Sequence, residues 1–281
     1  MSMVTSGRPE HVAPPEIYYD AEEAVKYARN SRMIKIQTQM SERALELLNL
    51  PDEEPRMLLD IGCGSGLSGE LLSHHDHNWV GMDISPFMLK VALERRVEGD
   101  LFLADMGCGV PFRPGVFDGA ISISALQWLF TAERKEEVPF RRLLCFFETL
   151  YSCLRRGSRA VLQFYPENSK QMEMATAAAT TAGFSGGMII DFPNSKRARK
   201  FFLCLFAGPS SDPRSRNLDA KEGNPNRAEV AGRSRSGGSR RGKNMKSTKD
   251  WIHRKKERRL LQGKKVKKDS KYTGRKRQDA F

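Results

Sequence analysis

The sequence predicts an α/β fold: an open, mostly parallel sheet of seven strands with helices on both faces, continued by a basic C-terminal tail. Three observations predict it. Short apolar runs of strand length alternate with stretches of helical periodicity from residue 57 to residue 206, the pattern of a parallel sheet buried on both sides. A glycine-rich turn, Gly62-Cys63-Gly64-Ser65-Gly66, joins the first apolar run to the first helix of that series. The alternation stops at Pro209, where the composition changes.

Residues 1–17 are polar and Pro-rich and read as a flexible N-terminus without a secretory signal. Residues 18–49 read as helical, with Tyr27, Met33, Ile34, Ile36, Met40, Leu45, Leu47 and Leu48 on one stripe. A break at Asn30-Ser31 splits the stretch, with Ser31 as candidate N-cap, and Pro51 and Pro55 end it. Strands are expected at 57–61, 79–82, 101–103, 117–123 and 158–164, with a closing pair at 188–191 and 201–206. Helices are expected at 67–73, 86–97, 138–154 and 168–182. Only a short loop around Pro193 joins the last two strands, so an antiparallel edge is expected. The domain is thus placed at 18–209, a disordered linker at 210–246 and a basic tail at 247–281.

The charge sits in that tail. Residues 211–281 hold 24 Lys and Arg against 8 Asp and Glu, leaving 23 against 26 in residues 1–210. Such asymmetry points to a polyanionic partner for the tail rather than for the domain. Lys255, Lys256, Arg258, Arg259, Lys264, Lys265, Arg275, Lys276 and Arg277 are its candidate RNA-phosphate contacts, and the same clusters read as nuclear import signals. No apolar run reaches the length of a transmembrane helix, so no membrane partner is expected. Five scattered cysteines without a CxxC pair suggest reduced thiols and no zinc site in this chain. His74-His75-Asp76-His77 reads as a solvated loop in preference to a metal site; no metal is expected.

The chemistry begins at Leu58-Leu59-Asp60-Ile61-Gly62-Cys63-Gly64-Ser65-Gly66. Glycines let the backbone turn sharply and a ligand approach closely, and the helix that follows offers free N–H groups. Gly64, Gly66 and Gly69 also satisfy the dinucleotide pattern GxGxxG, so the glycines alone leave a nucleotide reading open. Asp60 directly before the turn favours S-adenosyl-L-methionine, whose amino group is cationic. Asp83, with Ile84 after it, ends the second strand and suits the ribose hydroxyls; the competing role is capping the next helix, with Ser85 as rival. Asp105 and Met106 end the third strand and suit the adenine, unless Asp105 only caps a turn. After the fourth strand, Ser124, Gln127 and Trp128 face the substrate side, where Trp128 either stacks on a flat base or packs as core. Tyr165 and Asn168 after the fifth strand are further substrate candidates.

Together these motifs resemble the class I, Rossmann-like, S-adenosylmethionine-dependent methyltransferases. Arg8-Pro9-Glu10-His11, Asn30-Ser31-Arg32-Met33, Ile123-Ser124-Ala125 with Gln127-Trp128, Gly183-Phe184-Ser185-Gly186-Gly187-Met188 and Tyr272-Thr273-Gly274-Arg275-Lys276-Arg277 narrow the resemblance to the eukaryotic 18S rRNA guanine-N7 methyltransferases of the Bud twenty-three, or Williams–Beuren region, type. The resemblance covers nearly the whole chain and is weakest at 210–246. It implies methylation of a guanine N7 in small-subunit rRNA, action in pre-40S maturation, a nuclear location, and a heterodimer with a small zinc-binding activator subunit. It also implies the cofactor roles given above for Asp60, Gly62, Gly64, Asp83, Asp105 and Met106. Guanine N7 has a lone pair and no proton, so no general base is required; Gln127 and Trp128 are positioning candidates. The rival class is a largely non-catalytic assembly factor that keeps the fold as a scaffold.

Overall fold

The computed structural model describes residues 8–51, 54–131, 138–195 and 198–208, with Lys256, Val266 and Lys268 as isolated positions further on. The linker 210–246 and the tail candidates other than Lys256 lie outside the described residues, as do residues 1–7.

The described chain starts earlier than the sequence suggests. Residues 8–17, expected to be flexible, carry a 3-10 turn at Pro9–His11 and the start of α1 (Pro15–Tyr18), each with a proline in its first turn. Proline presets helical φ where no N–H is needed, so a Pro-rich stretch here nucleates turns. α2 (Ala21–Arg29) follows, capped by Asp20, whose carboxylate accepts from the Glu22 and Glu23 amides. α3 (Ser31–Leu48) is capped by Asn30, not Ser31: Asn30 Oδ1 accepts from the Arg32 and Met33 amides. The cap thus sits one residue earlier than expected: Asn30 has the extended backbone of an N-cap, and Ser31 is already the first helical residue.

The sheet contains β1 (Met57–Ile61), β2 (Asn78–Asp83), β3 (Asp100–Leu103), β4 (Phe117–Ile123), β5 (Leu154–Phe164), β6 (Ser185–Asp191) and β7 (Lys200–Phe206) in the order β3-β2-β1-β4-β5-β7-β6. The five strands β3 to β5 run parallel, and β7 lies antiparallel between β5 and β6. The expected antiparallel edge is therefore present, with the last strand inserted inside it. The helices are α4 (Leu67–His74), α5 (Pro86–Glu94), α6 (Pro139–Cys153) and α7 (Ser169–Thr181). α5 stops three residues short of expectation, since Arg96 turns left-handed (φ 56°) and Val97 folds back beneath Gly66. β5 starts four residues early, because Leu154 pairs with Phe117 directly after α6.

Two apolar layers clothe the sheet. Leu143, Phe146, Phe147 and Leu150 of α6 and Ala175, Ala178 and Ala179 of α7 cover one face. Met40, Ala44 and Leu48 of α3 and Leu72 of α4 cover the other. Trp79 belongs to this second layer and is almost wholly buried. A Cβ placed on Gly69, Gly81 or Gly99 would lie 2.2, 2.8 or 2.3 Å from its ring, so three glycines from three segments make its slot. Gly69, the third glycine of the nucleotide-like pattern, thus serves close packing of α4 on the sheet. The histidine cluster lies between α4 and β2, where the His75 and His77 rings stack and the Arg56 amide donates to His77 Nδ1, as the loop reading expects.

Candidate functional site

The strand order reverses between β1 and β4, and a cleft opens beyond the carboxyl ends of β1, β2 and β4, where ligands bind in open α/β sheets. The space within it, open solvent at its mouth included, is about 840 Å³. Gly62, Gly64, Asp83, Ile84, Asp105, Met106, Ser124 and Trp128, eight of the sequence candidates, all line it.

The glycine turn is shaped by its neighbours. Gly62 and Gly64 have φ of 70° and 51°, a region L side chains rarely enter. A Cβ on Gly62 would fall 2.3 Å from the Ala125 Cβ. The Gly62 and Cys63 amides donate to the Met82 carbonyl, pinning the turn to the end of β2. Asp83 sits beside it, accepting from the Gly64 amide at 2.8 Å and the Ser85 amide at 2.8 Å. Burial raises the Asp83 pKa against the pull of those amides. The capping question resolves cleanly: Ser85 Oγ accepts from the Met88 amide and caps α5, leaving Asp83 on the cleft wall.

Asp60 and Gly66 lie behind the turn and are absent from the cleft lining. Asp60 is fully buried, and Ser68 Oγ donates to its Oδ2 at 2.6 Å. Burial pushes its pKa up to about 7, partly offset by that hydrogen bond. Gly66 begins α4 with φ 79° above Val97. Asp105 lines the cleft and also caps the turn Met106–Cys108 through the Gly107 amide. Both of its oxygens accept from Arg142 of α6, at 3.3 and 3.1 Å.

Ser124 ends β4 in a left-handed conformation (φ 59°). Its Oγ donates to Gln163 Oε1 and lies 3.4 Å from Gln37 Nε2 of α3. Gln127 is buried below the cleft lining and donates to the Ser124 carbonyl. Trp128 lines the cleft while 6% exposed, so packing and cleft-facing readings both describe it. Tyr165 and Asn168 do not join this group. The Tyr165 ring lies under Lys200, which donates to its hydroxyl, and Asn168 caps α7 through the Gln171 amide.

Sequence reasoning missed the opposite wall. Pro15, Tyr19, Tyr27 and Gln37 line the cleft from the N-terminal segment, and Arg142 from α6. In the sequence Tyr27 stands out only as part of an apolar helical stripe, and Tyr19 carries no pattern at all. The segment lies across the cleft between two anchors. Ser85 Oγ donates to the Tyr19 carbonyl at 2.9 Å; Arg8 donates to the Tyr165 carbonyl at 2.9 Å, and His11 meets Glu167 beside it. Glu10, His11 and Glu167 have metal-like spacing, but the Arg8 guanidinium already pairs with both carboxylates.

The residues fit an S-adenosyl ligand. The glycines leave room where a Cβ would intrude, Asp83 is a carboxylate at the end of β2, and Ser65 Oγ on the lining is buried without a hydrogen-bond partner among the described residues. Solved structures share the architecture. A putative S-adenosyl-L-methionine-dependent methyltransferase from Methanococcus maripaludis aligns with TM-score 0.53 at 14% identity, over 68% of this chain and 95% of that one. A Haemonchus contortus phosphoethanolamine N-methyltransferase crystallised with S-adenosylhomocysteine aligns with TM-score 0.53 at 16% identity, over 68% of this chain and 59% of that one. A methyltransferase-domain family model matches residues 59–162. The fold is that of the class I S-adenosylmethionine-dependent methyltransferases, as the motifs led one to expect.

The family follows from closer relatives. A model described as a methyltransferase involved in Williams-Beuren syndrome matches residues 205–279. The chain is 57% identical over 277 residues to the 18S rRNA (guanine-N(7))-methyltransferase of Mus musculus, covering 98% of this chain and 99% of that protein. It is 49% identical over 279 residues to the 18S rRNA (guanine(1575)-N(7))-methyltransferase of Saccharomyces cerevisiae, with 98% and 99% covered. The chain belongs to the 18S rRNA (guanine-N7)-methyltransferase family.

Proposed function

We propose that this chain methylates N7 of a guanine in small-subunit rRNA, using S-adenosylmethionine, during maturation of the small ribosomal subunit. The observation that carries this reading is the near full-length likeness to proteins named for that reaction. Bound S-adenosylmethionine supplies a methyl group activated by a sulfonium sulfur. The chain's residues bind and align: the Gly62–Ser65 turn takes the amino-acid end, Asp83 the ribose hydroxyls, and Asp105 with the Met106 amide the adenine. Asp60 supports the turn from beneath. Ser124, Gln127 and Trp128 order the floor on which the guanine approaches. Both cleft carboxylates are committed to amide or guanidinium donors, which suits a nucleophile that sheds no proton. The test is primer-extension mapping of N7-methylguanosine in 18S rRNA with and without the protein. A modification pattern indifferent to the protein overturns the reading.

The basic tail binds rRNA phosphates and directs nuclear import in this proposal. Its removal lowers rRNA affinity and flattens the salt dependence, and moves a fluorescently tagged chain out of the nucleus. Affinity unchanged at every salt concentration, or unaltered nuclear signal, removes the corresponding role. In this proposal the zinc-binding activator subunit docks along β3, supported by its position at the sheet edge with Phe102 and Leu103 exposed, as are Phe87 and Leu93 of α5. An open apolar edge is suited to strand addition by a partner. Phe102→Asp is expected to abolish co-purification of the two chains; intact co-purification places the subunit elsewhere.

A further inference from the structure

Methyl transfer to N7 moves a charge. The N7 lone pair forms the new bond to the methyl carbon, the C–S electron pair stays on sulfur as a neutral thioether, and the purine ends as a cation. No proton changes place. Whatever lines the cleft must therefore tolerate a positive charge on one partner before transfer and on the other afterwards. The nearby carboxylates are poorly suited to following that charge, since Asp83 is held by two backbone amides and Asp105 by Arg142 and the Gly107 amide.

The N-terminal wall offers a different kind of partner. We propose that Tyr19 and Tyr27, with Trp128, form an aromatic corner that stabilises the migrating positive charge and fixes the guanine for transfer. This rests on the reading of the site given above. The three rings reach one cleft, Tyr19 and Tyr27 from the N-terminal segment and Trp128 from the turn after β4. Tyr19 lies 5.9 Å from both Tyr27 and Trp128, centroid to centroid, at interplanar angles of 84° and 63°. Rings so inclined make the sides of a corner rather than a closed stack. Tyr18 backs the corner, 5.1 Å from Tyr19 and 6.0 Å from Trp128.

Its members are held in place. The Tyr19 backbone is anchored by Ser85 Oγ, and the Tyr27 hydroxyl is hydrogen-bonded with Gln37, which in turn approaches Ser124 at the end of β4. Burial raises both phenol pKa values, so the rings stay neutral. A neutral ring face attracts a cation through its quadrupole without demanding one fixed geometry, so the same corner serves a sulfonium and a methylated purine. An acid would instead trap whichever cation it met first.

The test uses the full chain, with Tyr19 replaced by phenylalanine bearing none, one, two or three ring fluorines. Fluorination drains the ring face of negative charge while nearly preserving its shape. Binding of 7-methylguanosine 5′-monophosphate, a cation at the base, is compared with binding of guanosine 5′-monophosphate, both with S-adenosylhomocysteine present. Single-turnover methyl transfer to 18S rRNA and the affinity for S-adenosylhomocysteine are measured alongside. Tyr19→Phe is expected to keep the preference for the methylated nucleotide, and each fluorine to erode it, by roughly 3- to 30-fold across the series. The single-turnover rate should fall in step while S-adenosylhomocysteine affinity holds. Tyr27→Leu should lose rate and preference together, and Tyr27→Phe should restore both. A flat series in a chain that methylates rRNA overturns the aromatic corner and leaves the methyltransferase reading standing; so does equal weakening of both nucleotides, the mark of a packing role. A wild-type chain that transfers no methyl to 18S rRNA overturns the substrate assignment and takes the corner's role with it.

Discussion

The two walls of the cleft are built from different materials. The wall made by β1 and β2 is mostly backbone: a left-handed glycine turn tied to the Met82 carbonyl, with one carboxylate, Asp83, gripping two amides. The facing wall is side chain: Tyr19, Tyr27, Gln37 and Trp128, drawn from residues more than a hundred positions apart and tied down by a few polar contacts. A backbone wall tolerates almost no change, because its shape depends on φ angles that only glycine adopts easily. A side-chain wall can be retuned residue by residue. The first suits a ligand with fixed chemistry, the second a feature that varies with substrate.

The largest effect to expect from breaking this contrast is at Asp83. Asp83→Lys removes the carboxylate acceptor proposed for the two ribose hydroxyls, each such charge-assisted bond worth about 1.5–3 kcal/mol, and should lower S-adenosylmethionine affinity by roughly 100-fold or more. Asp83→Asn should fall between it and wild type. Calorimetry on the folded variants decides, and tight binding by Asp83→Lys would place the ribose elsewhere. Ribosome production that survives this loss of binding would favour the scaffold class over the enzyme.

Next comes Asp60, beneath the turn. Its folded pKa of about 7 lies above the usual 3.8 of an unfolded aspartate. The folded state therefore holds a proton that the unfolded state has lost, and stability contributed at low pH disappears as pH rises from about 4 to about 7. Relative to Asp60→Asn, the wild type should lose up to about 4 kcal/mol across that window, at about 1.4 kcal/mol per pKa unit. Denaturation at pH 4, 5.5 and 7 measures it; parallel curves for the two proteins would mean the carboxylate is better solvated than its burial indicates.

Gly62→Ala comes third. The left-handed φ and the 2.3 Å approach to Ala125 should cost about 1–3 kcal/mol. Adding Ala125→Gly relieves the contact and leaves only the backbone strain, so the double variant should recover part of the loss. No recovery would show that φ alone sets the cost. The smallest effect belongs to the side-chain wall. Arg8→Ala removes the bond to the Tyr165 carbonyl and should loosen residues 9–20 by about 0.5–1.5 kcal/mol, seen as faster amide exchange there with the glycine turn unchanged.

The same contrast explains what was legible in the sequence. The backbone wall depends on contiguous signals: an apolar run, glycines two residues apart, and acids at the ends of successive strands. Gly62, Gly64, Asp83 and Asp105 could all be read that way, and so could the sheet, because strand and helix periodicities are local. The side-chain wall depends on tertiary placement. Tyr19 follows a single turn of helix and Tyr27 sits in an apolar stripe like any packing residue, so nothing local marks either as cleft-lining. Arg142 was hidden similarly, one of two adjacent arginines on an amphipathic helix, with its partner Asp105 37 positions away. Asp60 was legible as part of the motif but not as a layer below the surface, because strand alternation does not give depth. Helix ends were missed where left-handed residues, such as Arg96, do not announce themselves.

The slot around Trp79 carries a consequence for how such chains diverge. Three glycines on α4, on β2 and before β3 leave room for one indole, so none of the four positions can drift alone. A β-carbon at Gly69 or Gly99 becomes acceptable only after Trp79 has shrunk, one at Gly81 only after Cys63 has given way as well, and a smaller residue at 79 leaves a void until a glycine has grown. Across homologues these four sites should change as a set or not at all, a signature of order-dependent evolution written in a part of the molecule that never touches substrate.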